Sequence, residues 1–288
     1  MSKPVPKQAS SWEIVNEAPD AVDDDFSACC NQSPQAGCPI DSFYENTGEV
    51  LKLGIPQSLN DSPTLGRLLS LGLVTGTEAY FRSIFLGMLA FCPLTRDRAA
   101  DQMIPLGALE YYGAQKIGMG LFEGISFAGE AEIKKRSGTL LNFQWQGTSS
   151  LGVALANFDV VCHIRHASVH SQGLLSRGNA RALKIRQATG ESEVVIDFVH
   201  LQKIALICTS LVRSYNSELF KATVEKWISE KVISGSWTDD KKIFTDLTRL
   251  FSSELDSMGP RTANARYKEI LPRIAKRISA PQAQRWRG

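Results

Sequence analysis

Residues 148–173 read TSSLGVALANFDVVCHIRHASVHSQG. Leu151, Leu155, Phe158, Cys162 and Val169 follow a 4-3-4-7 spacing, which is one apolar stripe along an α-helix. Thr148, Ser149 and Ser150 offer N-caps, and Gly173 closes the segment. The position that would complete the stripe is 165, and it is an arginine. A helix with one apolar stripe must pack on other helices, and a cation inside that stripe requires a partner or a purpose.

The flanking sequence extends the helical reading. Downstream, Asp197 is an N-cap for a long helix carrying Val199, Ile204, Cys208, Leu211, Tyr215 and Leu219 at a 3.6-residue period. Gly235 marks a boundary, and two further helices are predicted near 239–257 and 262–279, divided by Gly259-Pro260. Between the two strong helices, Leu183 and Ile185 alternate with Lys184 and Arg186. Thr189-Gly190 supplies a turn, and Val194 to Ile196 run back. Residues 182–196 thus read as a small β-hairpin, with a helical start as the competing reading.

Upstream, TEAYFRSIFLGMLAFC (77–92) predicts a core helix capped by Thr77 and stopped by Pro93. Residues 106–125 also read as helical, loosened by five glycines. Residues 1–60 hold Pro4, Pro6, Pro19, Pro34, Pro39 and Pro56 and the run Asp23-Asp24-Asp25, without sustained periodicity. They read as a loosely ordered head with one short strand near 49–54. The expected architecture is mostly α: an acidic head (1–60), a helical bundle (61–230) carrying the hairpin, and a basic helical extension (231–288).

Composition bounds the function. The chain has 288 residues, 43% apolar and 22% charged, with a mean hydropathy of −0.12. No uncharged apolar run is long enough to span a bilayer, and the first residues lack the apolar core of a secretory signal, so no membrane role and a cytoplasmic location are expected. Residues 1–60 carry three lysines and nine acids, whereas 261–288 carry eight basic residues and one acid. The basic end reads either as a solvated helix face or as a phosphate-contacting arm. Of six cysteines, Cys92, Cys162 and Cys208 sit singly in apolar segments and read as core. Cys29, Cys30 and Cys38 lack a nearby fourth zinc ligand, and a disulfide framework is not expected at this size and in this compartment.

All four histidines are His163, His166, His170 and His200, three of them inside eight residues. One reading is a metal site, yet three successive turns of one helix spread the rings over about 10 Å, so two histidines with ligands from elsewhere would be required. A second is structural: the rings sit at a helix C-terminus, and Arg165 pairs with Asp159 or Glu123.

The third is catalytic. Arg165-His166-Ala167-Ser168-Val169-His170 is Arg, a polar residue, and His after four intervening positions. It resembles the R-x(4–6)-H motif of HEPN-domain ribonucleases, and SQGLLSRGNARAL after it resembles the loop that follows the motif in that family. The resemblance covers about 70–230. It implies a HEPN-like bundle and metal-independent RNA cleavage by 2′-OH attack, giving a 2′,3′-cyclic phosphate and needing no cofactor. His170 would be the general acid/base, Arg165 the phosphate-stabilising cation and His166 the orienting neighbour. Ser168 and Ser171 would be accessory, and Arg177, Arg181 and Lys184 would contact RNA. It also implies a homodimer, a toxin or phage-defence setting, and an antitoxin or other regulatory partner. The chemistry is sufficient, since imidazole titrates near neutrality and guanidinium holds a fixed charge against the phosphorane. On a straight helix five residues separate Arg165 and His170 by about 140°. One cleft therefore needs either a distorted helix end or two copies. The rival from another class is a non-enzymatic helical adaptor.

Overall fold

Pro39, Pro56, Pro63 and Pro93 each open a helix at its first position, where the missing N–H costs nothing. These are α1 (Pro39–Leu53), α2 (Pro56–Asp61), α3 (Pro63–Phe91) and α4 (Pro93–Ala99). There follow α5 (Leu106–Lys116), a 3₁₀ turn (Ile117–Phe122), α6 (Glu130–Leu141), α7 (Ser150–His170), α8 (Arg177–Ala182), α9 (Phe198–Ser229), α10 (Trp237–Phe251) and α11 (Ala263–Ser279). The computed structural model describes residues 25–31, 37–185, 191–256 and 262–279. Two units divide between Ala36 and Gly37. In the first, Asp25 caps a 3₁₀ turn (Phe26–Cys29) by accepting from Ser27 N–H at 2.9 Å. The second holds all the α-helices among the described residues.

Mostly helical architecture is as expected, and several details are corrected. Residues 39–61 are not loosely ordered, and no strand lies at 49–54; α1 packs on α3 and α9. Of the six prolines, Pro39 and Pro56 stand at helix starts, and Pro4, Pro6, Pro19 and Pro34 lie outside the described residues. Thr77 is not an N-cap. It lies buried inside α3, its hydroxyl donating to Leu73 O, and Ser62 caps the helix instead. The hairpin at 182–196 is absent among the described residues. Ala182 ends α8, Leu183–Lys184 turn with Lys184 at φ 56°, and the only β-type pairing described is one antiparallel bridge, Leu174 to Glu193. The helical alternative holds for its start. The Thr189-Gly190 and Gly259-Pro260 turns, the run at Asp23-Asp24 and the basic residues Arg261, Arg285 and Arg287 lie outside the described residues.

α3 forms the spine, with Leu73, Val74, Phe81, Ile84 and Phe85 fully buried, and α1, α7, α9 and α10 pack around it. Rings from three segments interlock there: Phe81 meets Tyr215 edge-on at 4.8 Å and Phe85 stacks on Phe127 at 5.3 Å. Several polar groups in this core are paired with one another. Tyr80 donates to Asn216, Asn216 donates to Phe251 O, and the Tyr215 and Ser137 hydroxyls bond at 2.7 Å. α10 and α11 are not an appended extension, since Phe244, Leu247, Phe251, Tyr267 and Ile274 join the same core. Asp240, almost fully buried, accepts from Ser234 N–H, Gly235 N–H and Tyr267 OH, fixing α10, the preceding turn and α11 together. Among the described residues no helix is long and apolar enough to cross a membrane.

Candidate functional site

α7 begins where Ser149 accepts from Gly152 N–H. Its stripe is buried at Leu151, Leu155, Phe158 and Cys162, against α3 and α9. At Arg165 the stripe leaves the core, and Val169, one turn on, is 44% exposed. Arg165 is half-buried, and its Nε is shielded from solvent without a hydrogen-bond partner. The arginine in the apolar stripe thus stands at the rim of the core, half-buried. Among the described residues it forms no ion pair with Asp159 or Glu123. Asp159 is engaged elsewhere: it accepts from Glu130 N–H at 2.9 Å, capping α6 from outside.

The three clustered histidines separate into two kinds. His163 Nδ1 bonds Asn179 Oδ1 at 3.2 Å, and its Nε2 lies 3.8 Å from Asp159. Its ring therefore joins α7 to α8 and has a structural role. His166 and His170, one turn apart, are both exposed, with ring centres 4.5 Å apart and planes at 46°. His200 is also committed, at 2.8 Å from Asp197 at the start of α9. Ser168 donates back to Ile164 O at 2.9 Å, so its hydroxyl serves the helix. Ser171 is half-buried, its N–H bonded to Ala167 O. Cys162 lies one turn before His166 but is buried, and burial pushes its thiol far up, with Asp159 adding to this.

α7 stays regular through His170, so the helix end does not swing Arg165 and His170 onto one face. Immediately after it, Gln172 and Gly173 adopt positive φ (50° and 98°), and Gly173 N–H returns to Ala167 O. A Cβ on Gly173 would press into the Arg67 side chain. Arg67 reaches from α3 to Glu193 and Val194 O and so clamps this turn. Ser176 then caps α8. Arg177 and Arg181, four apart on α8, and Lys184 just beyond are all exposed, and α8 packs on α7, so these cations flank the motif. Neither of the two larger cavities, of about 680 and 770 Å³, is lined by a motif residue.

No protein-family model, curated protein or solved structure matches the chain.

The site therefore rests on its own geometry. Near the end of α7 are two exposed imidazoles with no hydrogen bond among the described residues, a half-buried arginine on another face, and the α8 cations. His163 is withdrawn into structure. Asn179 and Arg67, which the sequence reading passed over, hold the turn that follows the motif. Asn179 had one signal, the Ser176-x-x-Asn179 spacing of a capped turn, whereas Arg67 lies more than 100 residues from its partners and had none.

Proposed function

We propose that the chain is a metal-independent endoribonuclease of HEPN type, acting as a two-fold dimer in the cytoplasm. The observation that carries this reading is the exposed end of α7, where two imidazoles without hydrogen bonds stand beside a rim arginine that has no carboxylate partner among the described residues. In the reaction His170 takes the 2′-OH proton, and the 2′-oxygen attacks phosphorus. The 5′-oxygen then leaves as a hydroxyl after receiving a proton from an imidazolium. Arg165 offsets the charge on the phosphorane oxygens, and His166 orients the phosphate or the second ring. Arg177, Arg181 and Lys184 hold neighbouring phosphates.

Because α7 is regular, Arg165 and His170 of one chain diverge by about 140°, so the working set is assembled from Arg165 of one copy and His170 of another. The setting that suits such an enzyme is a toxin or defence effector held by a regulatory protein. The basic end supplies less free charge than its composition suggests, since Arg273 pairs with Glu225 and Arg266 lies over the Phe220 ring. One observation favours the adaptor reading instead: His170 lines neither of the larger cavities.

The test is RNA cleavage by purified protein in excess EDTA beside His170→Ala, with product ends read for 2′,3′-cyclic phosphate. Cleavage by wild type alone is the expected result. Cleavage abolished by EDTA would replace the reading with a metal hydrolase. RNA binding without cleavage by either protein would replace it with the adaptor.

A further inference from the structure

We infer that His166 and His170 form a chelating site for a borderline transition-metal ion, Zn²⁺ or Ni²⁺ in class, on the outer face of α7. Of the four histidines, His163 and His200 have ring partners. Among the described residues the His166 and His170 rings have no hydrogen bond, and both are exposed. They are spaced by one turn on a regular helix, so both project to the same side. Their ring centres are 4.5 Å apart. Two imidazoles bound side by side to one ion, with metal–nitrogen bonds of ~2 Å, place their ring centres about 4.5 Å apart at a right angle and about 5 Å apart at the tetrahedral angle. The pair is therefore already near a chelating separation and needs only ring rotation about side-chain bonds. Imidazole nitrogen suits Zn²⁺, Ni²⁺ and Cu²⁺ and not Mg²⁺ or Ca²⁺, which take oxygen ligands.

No group of three or more His, Cys, Asp or Glu donors converges among the described residues. The ion would thus keep water in its remaining positions, as one ion per chain, and exchange readily. Resting on the nuclease reading, the consequence is inhibition. The bound ion occupies the nitrogen lone pair that His170 uses to take a proton, and it stands where the phosphate must approach.

The experiment titrates the full chain with NiCl₂ by calorimetry, without RNA, for wild type, His163→Ala, His166→Ala and His170→Ala, with MgCl₂ as the hard-ion control. The expected result is one nickel per chain for wild type and His163→Ala. Affinity should fall by at least about tenfold in each of the other two, with no heat from magnesium. Nickel affinity unchanged in His166→Ala and His170→Ala would overturn the proposal. Both positions are exposed, so circular dichroism is expected to show the variants folded. Zn²⁺ added to the cleavage assay should stop cleavage, and EDTA should restore it. A chain that binds nickel through the pair but never cleaves RNA upholds this site and removes the nuclease. A chain that cleaves but fails the nickel titration does the reverse.

Discussion

At the residue scale the decisive contrast is between His163 and its neighbours. All three histidines were legible in the sequence as one cluster, but their division was not. The partner that withdraws His163 is Asn179, sixteen positions away on another helix. Arg165 was legible as an anomaly in an apolar stripe, and the structure gives its cause: the stripe leaves the core at that turn. Arg165→Ala and His170→Ala should each lower cleavage by about 10²–10⁴-fold while leaving the thermal unfolding midpoint in place, since both lie at the rim. A variant whose activity and unfolding midpoint fall together would show a structural role instead. Gly173→Ala tests the turn behind the motif. Its φ of 98° strains any L side chain, and a methyl group there would displace the Arg67 side chain, so a loss of about 1–3 kcal/mol is expected in urea denaturation. An unchanged midpoint would mean that Arg67 does not clamp the turn.

At the element scale the strongest periodic segments were legible, and their ends less so. α7 and α9 start at Ser149 and Asp197, both among the residues that composition offers as caps. α3 was half-missed because residues 63–76 contain three glycines, which lower intrinsic helix propensity. One of them has a packing reason: a Cβ on Gly66 would collide with the carbonyl of Ile196. The 182–196 hairpin failed because alternation over four residues cannot outweigh the Ser176 cap, which commits the chain to helix just before it. Asp240 is the polar centre of the α10–α11 pair. Asp240→Ala would leave the Ser234 and Gly235 N–H groups and the Tyr267 hydroxyl without their acceptor, at a cost of about 2–4 kcal/mol. Denaturant unfolding followed by Trp237 fluorescence checks this, because Trp237 packs on Tyr267 at 5.1 Å. A loss under 1 kcal/mol would show that water replaces the carboxylate freely.

At the scale of the whole molecule, a mostly helical fold followed from the sequence, but its division did not. The head was expected to run to residue 60, whereas α1 and α2 belong to the main unit, which begins at Gly37. Thiol chemistry gives a global test of this packing. Cys29 and Cys30 are exposed, whereas Cys92, Cys162 and Cys208 are buried. Burial pushes the Cys38 and Cys208 thiols up to about 11, so near pH 8 they remain protonated and slow to react. Two thiols should react quickly with a disulfide reagent at pH 8 and four only after denaturation; a third fast thiol would mean that the core opens. The composite site has its own test. Mixed and reassembled Arg165→Ala and His170→Ala chains, each inactive alone, should recover roughly a quarter of wild-type cleavage, because half the dimers are mixed and each keeps one complete set. No recovery would place Arg165 and His170 of the same chain in one site.

The contacts between α1 and the segment after α10 also set an order of events during synthesis. Cys38 donates to Leu250 O at 3.3 Å, Tyr44 OH to Asp256 at 3.2 Å, and Glu254 N–H to Asp41 at 2.8 Å. Each bond joins positions more than 200 residues apart. α1 emerges from the ribosome early and must wait, for tens of seconds at ordinary translation rates, before the residues that close over it exist. A nascent or truncated chain ending before Leu250 leaves Asp41 without Ser253 and Glu254 and α10 without the buried Phe251. These contacts are thus completed only after residues through Asp256 have been translated.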